Sequence, residues 1–90
     1  MELLQKMKYF VKLVELESFT EAARHFGTTT ASASRAISEL ESHLSAKLLQ
    51  RTTRKMRLTD VGRRYFVRCN HILSCLSEAE IEIGGTDLDP

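Results

Sequence analysis

Proline occurs only once in the 90 residues, at the last position, and glycine only four times. So few breakers argue against a loop-rich or many-turned β fold and for helices joined by short turns. Tryptophan is absent, and the two cysteines, Cys69 and Cys75, form no CxxC pair. A disulfide scaffold or cysteine-rich zinc module needs more, because zinc takes four Cys or His ligands and only His71 lies nearby. Both cysteines therefore read as helix residues of a reducing compartment. No membrane-length apolar run is present, since Lys6, Lys8, Lys12, Glu15 and Glu17 interrupt the N-terminal stretch. That stretch also lacks the pattern of a secretory signal, so a cytoplasmic location is expected.

Catalytic signatures are missing in the same way. His25, His43 and His71 share no ligand spacing. Ser34 has no His–Asp partner pattern, and no glycine-rich loop leads to Lys-Ser or Lys-Thr. The sequence is read as a non-enzyme without metal or cofactor.

What is present is a concealed asymmetry of charge. The net charge is +1, yet Ala22 to His71 holds ten Lys or Arg against Glu39, Glu41 and Asp60, a balance of +7. The remaining residues set Lys6, Lys8 and Lys12 against nine carboxylates, a balance of −6. A basic middle between acidic ends fits a surface that meets a polyanion. With 42% apolar residues, the chain should bury one modest core.

Apolar spacing predicts a first helix over residues 2–16, with Leu3, Met7, Phe10, Val11 and Val14 on one stripe. Ser18-Phe19-Thr20-Glu21 has the form of a capping box and opens a short second helix, which buries Phe19, Ala22, Ala23 and Phe26. Gly27 suits a left-handed C-terminal position. Thr29 is the expected N-cap of a third helix, residues 30–44, whose core face carries Ala33, Ile37, Leu40 and Leu44. Its opposite face begins with Thr30, Ala31, Ser32, Ser34 and Arg35, with neither a large apolar group nor a carboxylate.

Two short strands follow, residues 47–51 and 55–59, around a tip at Thr52-Thr53-Arg54. Arg51, Arg54, Lys55 and Arg57 crowd this hairpin without an acidic neighbour. Thr59 then caps a long helix in which Tyr65, Cys69, Ile72, Leu76, Ala79 and Ile83 recur at spacings of four and three. Such a seam predicts self-association.

The expected architecture is mainly α: a winged helix-turn-helix, made of a three-helix core plus a two-stranded β-hairpin wing, followed by a long dimerisation helix. Residues 1–58 form the first part, 59–83 the helix, and 84–90 a hinge or chain end. Two tightly packed helices with a short turn place the second of them in a major groove, and a basic hairpin beside it reaches the backbone or the minor groove. A purely structural helix module and a non-specific architectural DNA binder are the competing readings. The first leaves the basic hairpin unexplained, and the second differs in its specificity ratio.

Several separated motifs, in order, resemble the LysR-type transcriptional regulators of bacteria. They are Met7-Lys8-Tyr9-Phe10, Glu17-Ser18-Phe19-Thr20-Glu21-Ala22-Ala23, Ser34-Arg35-Ala36-Ile37, Leu40-Glu41, Leu48-Leu49-Gln50-Arg51-Thr52 and Leu58-Thr59-Asp60-Val61-Gly62. The resemblance spans roughly residues 1–83. It implies sequence-specific binding of double-stranded operator DNA, with base-edge contacts from Thr30, Ala31 and Ser34. It further implies that Arg35 and Arg51 contact backbone or groove and that Arg54 enters the minor groove. Thr29, Ser32, Thr52 and Lys55 complete the candidate DNA-binding set. The resemblance implies a homodimer through the long helix, a tetramer in the full-length protein, and a small-molecule effector bound by a separate C-terminal domain. Thr28, Thr30, Ala31 and Ala33 depart from the family's usual apolar residue, Gln, Pro and large apolar residue. Without that Gln a bidentate adenine reader is lost, so a different sequence preference is implied.

Overall fold

The first helix, α1 (Leu3–Leu16), turns Met7, Tyr9, Phe10, Val11 and Leu13 inward. Tyr9 and Leu13 extend the stripe that periodicity picks out, whereas Leu3, the first residue of the helix, remains 44% exposed. α1 ends at Glu17, which adopts the left-handed region with φ 53° and donates its N–H to the Leu13 carbonyl. A computed structural model describes residues 2–51 and 56–84, and for Arg51 the backbone alone.

Ser18 caps α2 (Phe19–His25), its hydroxyl accepting from the Glu21 N–H at 3.1 Å. The Glu21 carboxylate also accepts from Arg24, at 3.0 Å. After α2 the chain reverses at Gly27, φ 66°, with the Thr28 N–H donating to the Ala23 carbonyl at 2.9 Å. Positive φ is open to glycine without the Cβ penalty, so the expected left-handed terminus is present. α3 (Thr30–Leu44) buries Ala33, Ala36, Ile37 and Leu40. The small side chains Ala22, Ala23, Ala33 and Ala36 are all nearly fully buried and let α2 and α3 cross closely.

Two strands, β1 (Leu49–Arg51) and β2 (Met56–Leu58), pair antiparallel with Leu49 opposite Leu58, Gln50 opposite Arg57 and Arg51 opposite Met56. Each is shorter than the five-residue run the sequence suggests. α4 (Asp60–Gly84) completes the described chain. The whole is mainly helical, a three-helix core with a two-stranded wing and a long helix: a winged helix-turn-helix.

α4 does not stand outside the core. Its first half packs on α1, with the Phe10 ring 5.8 Å from Tyr65 and 6.4 Å from Phe66. Cys69 is fully buried and Leu73 half-buried in the same cluster. Two residues of the expected intermolecular seam, Tyr65 and Cys69, are therefore engaged within their own chain. Ile72, Leu76, Ala79 and Ile83 lie further along, where Ile72 is 45% and Ile83 84% exposed. A heptad count cannot separate these two sets, because the helix uses one continuous stripe first inside the domain and then beyond it.

Burial also acts on the ionisable groups of that cluster. It pushes the Cys69 thiol up, against a hydrogen bond from Tyr65 that pulls it down. Tyr65 is pushed up to about 12, first by burial and then by its charge interaction and hydrogen bond with Cys69. No helix of the described residues is long and apolar enough to cross a membrane.

Candidate nucleic-acid interface

The exposed front of α3 is set by its cap. The Thr29 hydroxyl accepts from the Ser32 N–H at 3.0 Å and donates to the Ser32 hydroxyl at 3.1 Å. Two of the candidate residues, Thr29 and Ser32, thus engage each other and fix where the helix starts. Thr30, Ala31 and Arg35 are exposed beyond them, and Ser34 is half-buried on the same side. No acidic residue occupies the first turn. The helix N-terminus keeps its partial positive charge for an external anion.

Ser38 continues this face one turn later and is also exposed. It belongs with the candidates, and its spacing of three and four from Arg35 and Ser34 is the signal that points to it. A groove lined by Ser38, Glu41, Lys47, Leu49, Gln50 and Thr59 runs from this face of α3 to the wing, its one carboxylate turned to the wing's backbone N–H groups. On the wing, cross-strand alternation turns Leu49 and Leu58 inward while Gln50 and Arg57 face solvent side by side. These two also extend the candidate set. Thr52, Arg54 and Lys55 lie outside the described residues, as does the side chain of Arg51.

The wing is held in register with α3 by one carboxylate. Glu41 Oε2 accepts from the Leu48 N–H at 2.8 Å and from the Leu49 N–H at 3.2 Å. Lys47 Nζ stands 3.9 Å from its other oxygen. From the opposite side, the Leu48 carbonyl accepts from the Thr59 N–H at 3.0 Å. The Thr59 hydroxyl donates to the Lys47 carbonyl at 2.6 Å and accepts from the Gly62 N–H at 2.9 Å. Leu48 is fully buried and bonded through both backbone groups, one to α3 and one to the start of α4. Gly62 is required here, since a Cβ on it would lie 2.2 Å from the Leu48 carbonyl oxygen. Three elements meet at one residue.

The result is a polar helix face, free of carboxylates in its first turn, held beside a wing whose described outer pair is Gln50 and Arg57. Such a face fits a polyanion with edge-readable polar groups. Among the described residues no group of three or more His, Cys, Asp or Glu is arranged to hold a metal ion within one chain.

Residues 4–63 match the sequence profile described as bacterial regulatory helix-turn-helix protein, lysR family. An HTH-type transcriptional regulator of Haemophilus influenzae is 45% identical over 83 residues, which are 92% of this chain and 29% of that protein. An HTH-type transcriptional repressor of Pseudomonas aeruginosa is 41% identical over 90 residues, covering 100% of this chain and 28% of its own. The chain thus spans under a third of the length of these relatives. Among solved structures, the BenM DNA-binding domain in complex with catB site 1 DNA superposes with a TM-score of 0.85 at 30% identity, covering 100% of this chain and 98% of the other.

Proposed function

The chain belongs to the lysR family of bacterial regulatory helix-turn-helix proteins, and from that premise we propose that it reads double-stranded operator DNA as one half of a homodimeric transcription regulator. The observation that carries this reading is the front of α3, exposed, polar and free of carboxylates, beside a wing pinned at Leu48.

In this reading α3 enters the major groove, and Thr30, Ala31, Ser34, Arg35 and Ser38 meet base edges and phosphates. The wing lies along the neighbouring backbone, with Gln50, Arg51, Thr52 and Arg57 as phosphate contacts and Arg54 in the minor groove, assisted by Lys55. Phosphate contacts position the domain, and the short polar groups of α3 select the sequence.

The dimer forms through the second half of α4, where Ile72, Ala79 and Ile83 are exposed and Leu76 is half-buried. Two such domains at a fixed distance read half-sites spaced by whole helical turns. The relatives are much longer than this chain, and in this reading, which rests on the family resemblance, a further domain binds a small-molecule effector and carries the assembly to a tetramer. The regulator works in the cytoplasm, where its DNA is.

The test is selection of bound duplexes from a random library. An enriched, partly symmetric motif of fixed spacing is expected. Binding without enrichment would overturn sequence-specific reading, and absence of binding would overturn the DNA reading altogether.

A further inference from the structure

One exposed stripe of α4 is unused by the core: Arg64, Arg68, His71, Cys75, Glu78 and Glu82, at spacings of four, three, four, three and four. None of its four charged residues enters an ion pair within the described chain. Its first half is basic and its second half acidic. Two copies laid parallel would set arginine against arginine and glutamate against glutamate. Laid antiparallel, the order becomes self-complementary.

A single register satisfies all of it. Centred on residue 73, Arg64 of one copy faces Glu82 of the other, Arg68 faces Glu78, and His71 faces Cys75. Two-fold symmetry repeats each pair, as an isologous interface demands. Exposed Ile72 and Ala79 border the stripe and supply apolar contact beside the charges.

Within each chain, Cys75 Sγ already lies 3.7 Å from His71 Nε2. A tetrahedral zinc ion, with bonds of about 2.3 Å to sulfur and about 2.0 Å to nitrogen, sets adjacent ligands about 3.5 Å apart. The pair is therefore spaced as half of a Cys₂His₂ set. With the helices paired in this antiparallel order, we propose that one zinc-like divalent cation is held at the dyad, between the two His71–Cys75 pairs. Each Cys75 thiol passes its proton to solvent as its sulfur coordinates, and each imidazole binds through its neutral Nε2. The proposal rests on the dimeric reading above and specifies a ligand for it.

The experiment is a cobalt(II) titration of the full 90-residue chain under reducing conditions, followed by visible absorption and by sedimentation equilibrium. The expected result is a thiolate-to-cobalt band with tetrahedral ligand-field absorption, saturating at one cobalt per two chains and reversed by zinc. Cys75→Ser and His71→Ala should each abolish it with unchanged circular dichroism, since both side chains are exposed. Cys75→His should bind cobalt at the same stoichiometry with ligand-field absorption but without the thiolate band.

Saturation at one cobalt per chain, or bands that survive either loss of ligand, would overturn the site. A dimer in chelator that takes up no cobalt sinks the site and leaves the dimer standing. Monomers with and without metal sink both, while operator selection tests the DNA reading separately.

Discussion

The carboxylate of Glu41 accepts the backbone N–H of Leu48 at 2.8 Å, joining α3 to the entry of the wing across seven residues. Leu48 is fully buried, so this N–H has no water to turn to if the acceptor is removed. Glu41→Ala should lower stability by about 1–3 kcal/mol, the usual cost of an unsatisfied buried donor. It should also weaken DNA binding evenly across sequences, because the wing loses position rather than a base contact. Thermal unfolding and operator titrations against several duplexes check both. A weakening confined to one base pair would show instead that Glu41 acts on reading.

Gly62 offers a test of sign. Replacing a helical glycine with alanine usually stabilises by about 1 kcal/mol. Here the added Cβ meets the Leu48 carbonyl oxygen at 2.2 Å, and that oxygen is held by the Thr59 N–H. Gly62→Ala should therefore lower the melting temperature. A rise would mean that the start of α4 can shift away from the wing without loss.

Much of this fold is legible in the sequence because local signals agree. Ser18, Thr29 and Thr59 stand where helices begin, and each is observed as a cap. Gly27 stands where a left-handed residue is needed. The Glu41 tether is not legible in this way, since a carboxylate late on a surface helix looks like any solvated charge. Only the return of the chain at Leu48 gives it a partner. Tyr65 and Cys69 illustrate the opposite difficulty. Their spacing is that of a seam, but periodicity reports which face is apolar and not which molecule covers it. Thr30, Ala31, Ser34 and Arg35 share one side of α3 as their spacing implies, and Arg57 belongs to the basic hairpin cluster legible in the sequence, while Gln50 emerges only from the strand register that sets it beside Arg57.

Salt dependence separates the two parts of binding. With about three or four phosphate contacts per protomer, the slope of log affinity against log salt should be roughly −5 to −7 for the dimer. Arg35→Ala and Arg57→Ala should each make it shallower by about two, since each removes one cation from both protomers. Ser38→Ala should leave the slope alone and change the preferred sequence. A slope near zero would remove phosphates from the mechanism, and an unchanged slope in Arg57→Ala would remove the described part of the wing.

Tyr65 and Cys69 predict the response to alkali. Both favour the protonated form in the fold, with Tyr65 raised to about 12 from an ordinary value of 10.0 and Cys69 raised from 9.0. A group whose folded value is raised contributes stability that is complete below its unfolded value and is lost as pH climbs towards the folded one. The melting temperature should thus show no effect of this pair through neutrality. It should begin to fall above about pH 9 as unfolded Cys69 ionises, and fall further from about 10 to about 12 with Tyr65. Tyr65→Phe should remove the second part of that fall, because no phenol remains to ionise in the unfolded chain. If the variant declines as steeply as the parent between those limits, the alkaline loss belongs to other groups, and the Tyr65–Cys69 contact does not govern how α4 is held against α1.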